Sequence, residues 1–168
     1  MRIRTLVLTA GTALSILAAF TATGRAQGKS QEELRKPFIG TWRLISIEGA
    51  SDNARNRGAS PTGIIMYDAN GYMNVQITPD RPRPKYTGTP TPEQALDAMR
   101  GYTAYWGTYT IDEKNQTVTH HRLGMLDGGI VDYVRKFELK DGGTRVVLTP
   151  ISGGTTNPPI HLTWERVR

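Results

Sequence analysis

The residues in this chain whose types can do chemistry gather in its second half. Tyr105 and Tyr109 share one short run, His120 and His121 are adjacent, and Tyr133 and Arg135 follow. An imidazole beside phenols and a guanidinium can orient a polar or anionic ligand, and it can also pass a proton. Other chemistries lack their parts. The sequence has no cysteine, which removes thiolate nucleophiles, disulfides and cysteine-bound metal centres. The three histidines are His120, His121 and His161. Adjacent histidines on a strand point to opposite faces, so no metal site is expected, and no cofactor. There is no carboxylate dyad, no Ser-His-Asp pattern and no nucleophile elbow. No catalytic residue is therefore assigned.

The elements that must position these side chains read mostly as antiparallel strands. With 38% hydrophobic residues among 168, the chain can bury one core. Strand-like runs cover 41–48, 63–67, 72–77, 105–111, 117–123, 130–139, 145–149 and 160–167. One helix signal interrupts them after the third strand. Thr91-Pro92-Glu93-Gln94 supplies an N-cap, a proline in the first turn and a capping glutamine. Leu96, Met99 and Tyr102 then share one face. Eight short strands with tight turns predict an all-β domain, a closed barrel or a sandwich.

Register decides what faces inward. Asp68-Ala69-Asn70-Gly71 reads as a type I turn followed by a glycine bulge, which pairs Asp68 with Tyr72. Ile65, Tyr67, Met73, Val75 and Ile77 then share the inner face. Across the next hairpin, Val118 pairs with Ile111 and His120 with Tyr109, while His121 turns outward toward Thr108. In the sixth strand Val131, Tyr133, Arg135, Phe137 and Leu139 alternate inward; in the last, Ile160, Leu162, Trp164 and Arg166. An interior arginine needs an acid, carbonyl groups, an aromatic face or an anionic ligand, because a bare buried charge costs several kcal/mol, on the order of a whole core contact.

The chain start has its own pattern. Arg2 and Arg4 precede an uncharged apolar run over 6–22, and Gly24-Arg25-Ala26 places small residues where a signal peptidase cuts. Residues 1–26 thus read as a signal peptide, 27–37 as a polar leader and 38–168 as the domain. A retained anchor is the other reading of the apolar run. Removing residues 1–26, which hold three arginines and no acid, lowers the net charge from +6 to +3. That balance gives no basic face for nucleic acid. The basic cluster Arg81-Pro82-Arg83-Pro84-Lys85 reads as an extended, solvated loop or an anion gate. No later stretch is long and apolar enough to span a membrane. Export without cysteine suits a bacterial periplasm or the medium.

Five motifs in order resemble one family. Gly40-Thr41-Trp42 is similar to the Gly-x-Trp signature of lipocalins, and Trp164-Glu165-Arg166 offers the arginine that stacks on that tryptophan. Met66-Tyr67-Asp68 through Gly71-Tyr72-Met73, Tyr105-Trp106-Gly107-Thr108-Tyr109 and Val118-Thr119-His120-His121 resemble bacterial and fungal lipocalin-like domains. The resemblance spans about residues 38–168. It departs from the lipocalins proper in lacking disulfides, in keeping only Val131-Asp132-Tyr133 of their second signature, and in placing the helix mid-chain. It implies an eight-stranded antiparallel barrel with a cavity, closed at one end by Gly40, Trp42, Trp164 and Arg166.

A barrel of that size holds one small ligand. The expected function is binding of a small apolar or amphipathic molecule. Met73 and Ile77 would supply apolar wall, and Tyr105, Tyr109, His120, Tyr133 and Arg135 the polar end, with Arg135 favouring a carboxylate. Two alternatives stand beside it. One is an isomerase or cyclase in which His120 moves a proton and Arg135 stabilises an enolate. The other is an envelope interaction module with a filled core. The oligomeric state is not legible.

Overall fold

The computed structural model describes residues 28–49, 56–83, 85–129, 132–151 and 159–168. Residues 1–26 and Val131 lie outside the described residues. Eight strands form a closed antiparallel barrel in which each strand pairs with its neighbours in sequence and the last pairs with the first. They are β1 (Gly40–Glu48), β2 (Thr62–Tyr67), β3 (Tyr72–Thr78), β4 (Thr103–Asp112), β5 (Thr117–Met125), β6 (Asp132–Lys140), β7 (Arg145–Pro150) and β8 (His161–Arg166). A helix α1 (Gln31–Arg35) precedes β1, and α2 (Pro92–Met99) lies between β3 and β4. The eight-stranded barrel and the helix after the third strand are as the sequence predicts.

The pairings follow the expected alternation. Tyr67 faces Met73 across the first tight hairpin, and the Asp68 amide donates to the Tyr72 carbonyl. Gly71 takes φ +92°, the left-handed geometry that this turn needs. In the β4–β5 hairpin, Ile111 faces Val118, Tyr109 faces His120 and Thr108 faces His121. The inner faces put Ile65, Tyr67, Met73, Val75, Ile77, Tyr109, Val118, Val146, Leu148 and Trp164 in one core. The period-2 pattern therefore becomes a barrel interior directly.

Two bulges depart from simple alternation. One lies between Leu44 and Ser46 against β8, leaving Ile45 exposed. The other lies between Trp106 and Gly107 against β5, which carries Leu123 outward and extends β5 to Met125. At Gly107 the two backbones approach so closely that a Cβ would stand 1.9 Å from the His121 carbonyl oxygen. Gly107→Ala is expected to destabilise the barrel by roughly 1–3 kcal/mol, as overpacking against unyielding atoms does. A urea titration checks this, and an unchanged midpoint would refute it.

The stretch 27–37, read as a polar leader, holds α1. Ser30 and Glu33 form a capping box. The helix is held by polar bonds to β4. The Gln31 side-chain amide donates to the Ile111 carbonyl at 2.8 Å and accepts the Ile111 N–H at 2.9 Å, copying a strand partner. Arg35 donates to the Tyr109 carbonyl and lies over the Tyr109 ring. Helix α1 thus covers the end of the barrel where β1 begins. At the other end, α2 leaves Leu96 and Met99 at 55% and 42% exposure. Arg81 hydrogen-bonds Asp97 and the Arg100 carbonyl, and Arg83 the Ala98 carbonyl. The basic cluster, expected to be extended and solvated, spends two arginines on the C-terminal end of α2, where the helix dipole favours cations.

Candidate functional site

The closed end is built on a glycine, a tryptophan and an arginine. Trp42 is fully buried, its indole Nε1 donating to the Phe38 carbonyl at 2.7 Å. The Arg166 guanidinium lies over the Trp42 ring at 4.1 Å and donates to the carbonyls of Ile39 and Pro37. Gly40 has φ +131°, and a Cβ there would meet Arg166 Nη1 at 3.0 Å. The glycine leaves room for the arginine, and the arginine ties the chain before β1 to β8. Trp164 is buried beside them, paired with Leu44 and Val146. These four residues tie the two ends of the domain together at this end of the barrel.

The polar group in the interior centres on His120, which is fully buried. Its Nε2 stands 2.7 Å from the Tyr67 hydroxyl. Its Nδ1 stands 2.8 Å from the Tyr105 hydroxyl and 3.2 Å from Arg135 Nη1. A guanidinium only donates, so Nδ1 must accept, and the ring proton sits on Nε2, donating to Tyr67. Burial, then the charge of Arg135, then that of His121, hold the imidazole well below its ordinary value. It is a neutral acceptor near neutral pH. Burial also raises the phenols of Tyr67 and Tyr105, and that of Tyr109 to about 12.

A family model described as a lipocalin-like domain matches residues 39–167. The chain belongs to that lipocalin-like family. Among solved structures, a mutant of the fluorescent protein UnaG is 16% identical, with a TM-score of 0.39 over 80% of this chain and 98% of that one. Apo lipid binding protein 8 of Caenorhabditis elegans is also 16% identical, with a TM-score of 0.37 over 79% of this chain and 96% of that one. No curated protein matches the chain.

In this lipocalin-like domain the expected site residues separate by height. Tyr105, His120, Tyr133 and Arg135 meet: the Arg135 guanidinium lies 4.8 Å from the centre of the Tyr133 ring, and Tyr105 and Tyr133 meet edge to face. Tyr109 sits lower. It packs on Tyr67 and donates to the Asp68 carbonyl, sealing a turn at the closed end. Met73 and Ile77 both face inward on β3, Met73 beside Tyr67 and Ile77 toward the end that carries α2. His121 points outward, between Asp132 and Thr110, and His161 meets Thr149. Among the described residues, no group of three or more His, Asp or Glu side chains is placed to hold a metal ion.

Three residues join the group that sequence reasoning did not select. Tyr67 was placed inside but not linked to His120. Arg122 is buried, lies 4.0 Å from the centre of the Tyr133 ring and 5.5 Å from that of Tyr105, and pairs with Asp127. Alternation from Val118 and His120 points to it. Arg57 comes from the loop between β1 and β2 and donates to the Thr103 hydroxyl at 2.9 Å. No periodicity marks a loop residue, so the sequence carries no comparable signal for it.

Proposed function

We propose that this lipocalin-like protein carries a small apolar or amphipathic molecule inside the barrel. The observation that supports the reading is the division of the interior. Met73, Val75 and Ile77 present an apolar face, and Tyr105, His120, Tyr133 and Arg135 are gathered into one polar group. An apolar wall with a few converging polar groups is the usual make-up of a ligand cavity. The imidazole there is neutral and has both nitrogens engaged, so it suits fixing the group's geometry better than turning over a proton. Export to the periplasm or medium belongs to the same proposal and rests on the pattern of residues 1–26.

Native mass spectrometry of the protein recovered without detergent from the exported fraction tests both parts. The expected polypeptide mass begins at Gln27, with an added mass that disappears on denaturation. A bare polypeptide that also fails to take up any of a panel of apolar fluorescent probes would overturn the carrier reading. A mass that includes residues 1–26 would overturn export with cleavage.

A further inference from the structure

Among the described residues, the polar part of the interior holds more positive charge than it neutralises. Arg57 and Arg135 each keep only 9% of their surface exposed. Among the described residues neither meets a carboxylate, in contrast to Arg122, which has Asp127. Arg135 meets the His120 imidazole, the Tyr133 carbonyl and the Tyr133 ring. Arg57 has the Thr103 hydroxyl for one terminal nitrogen, and its buried Nε has no hydrogen-bond partner among the described residues. The phenols nearby are held protonated by burial, so they supply no counter-charge. Burial first, and the charge of Arg135 after it, disfavour the charged form of the Arg57 guanidinium. Two like charges and an orphaned donor in a buried place are costly unless something negative completes them.

The position of Arg57 is also built. Its own carbonyl accepts the Asp80 N–H. The Asp80 carboxylate accepts the Ser60 N–H at 3.1 Å. A Cβ at Gly58 would come 2.0 Å from the Asp80 carbonyl oxygen, and one at Gly101 2.2 Å from that of Asn56. The segment around Arg57 is clamped between the chain entering α2 and the chain leaving it, and the clamp turns the guanidinium inward.

We infer that Arg57 and Arg135 form the binding site for the anionic head group of an amphipathic ligand, a carboxylate or another oxyanion. This rests on the carrier reading and names the class of its cargo. Guanidinium forks bind oxyanions through charge-assisted hydrogen bonds, and an oxyanion here takes up the free Arg57 donor and relieves the repulsion between the two arginines. The tail lies along the apolar face of β3.

The test compares cis-parinaric acid with its methyl ester by fluorescence titration. The parent protein is expected to bind the acid at least about tenfold more tightly than the ester. Arg57→Gln and Arg135→Met are each expected to weaken the acid about tenfold and leave the ester unchanged, the loss of one charge-assisted bond. Ligand-free Arg57→Gln should melt no lower than the parent, because a like-charge contact has gone; a structural role for Arg57 would lower it. Equal affinity for acid and ester, or an acid affinity unmoved by both substitutions, overturns the anion site and leaves the carrier reading intact. Failure of both compounds to bind the parent overturns both. Butyrate raising the melting temperature as much as the long acid assigns the site to free anions and overturns the amphipathic cargo.

Discussion

Trp42→Ala is expected to cost about 3–5 kcal/mol of folding stability, the range for truncating a large aromatic in a core. The indole is fully buried, so the change opens a cavity at the closed end. It also removes the donor that satisfies the Phe38 carbonyl and the aromatic face beneath Arg166. Phe38 itself packs edge to face on Tyr67 and Phe137, so the loss spreads to the cover formed by α1. Chemical denaturation followed by tryptophan fluorescence, with circular dichroism as a second probe, measures it. A midpoint equal to that of the parent would show that this end does not hold the barrel closed.

Mild acid should weaken the fold through one residue. His120 is neutral in the folded barrel, with a folded-state pKa well below 6.5. The unfolded chain offers an ordinary histidine, so below about pH 6.5 it binds a proton that the folded state refuses. Stability is therefore full above that pH and falls as pH drops, by up to about 1.4 kcal/mol per unit, until the folded-state value is reached. The groups facing the ring, Arg135 and the hydroxyls of Tyr67 and Tyr105, provide no anion to hold a charged imidazole. Carboxylates with lowered values, such as Glu33 and Glu165, act in the same direction but begin near their ordinary value of 4.5. The span from pH 6.5 to about 5 therefore separates His120 from the carboxylates. His120→Asn should flatten the pH dependence across that span. A slope that survives the substitution would place its origin elsewhere.

The parts of the fold that follow alternation were legible. Asp68 to Gly71 dictate a turn length, and that length dictates which of Ile65, Met73 and Ile77 face inward. The same arithmetic carried Tyr105, His120 and Arg135 to one side of the sheet. Arg122 obeys it too, two residues beyond His120 and just before the bulge that turns Leu123 outward. Arg57 obeys no period: its inward aim comes from backbone contacts with Asp80 and Gly101, residues distant in sequence. Helix α1 was missed for another reason. It is a single short helix with no buried residue of its own, anchored by Gln31 and Arg35 to backbone atoms of β4, so no apolar stripe announces it. The capping pair Ser30 and Glu33 was the signal available.

The order of the strands bears on how the chain reaches this state. Seven of the eight pairings join consecutive strands, and only β1 with β8 unites the two ends of the domain. The hairpins form from nearby residues at small entropic cost, whereas the last pairing must close a loop of nearly the whole domain. That costly step is where Trp42 meets Arg166 and where the Arg43–Glu165 ion pair bridges the strands. The same residues that join the chain ends thus reward the loop closure with the largest entropic cost.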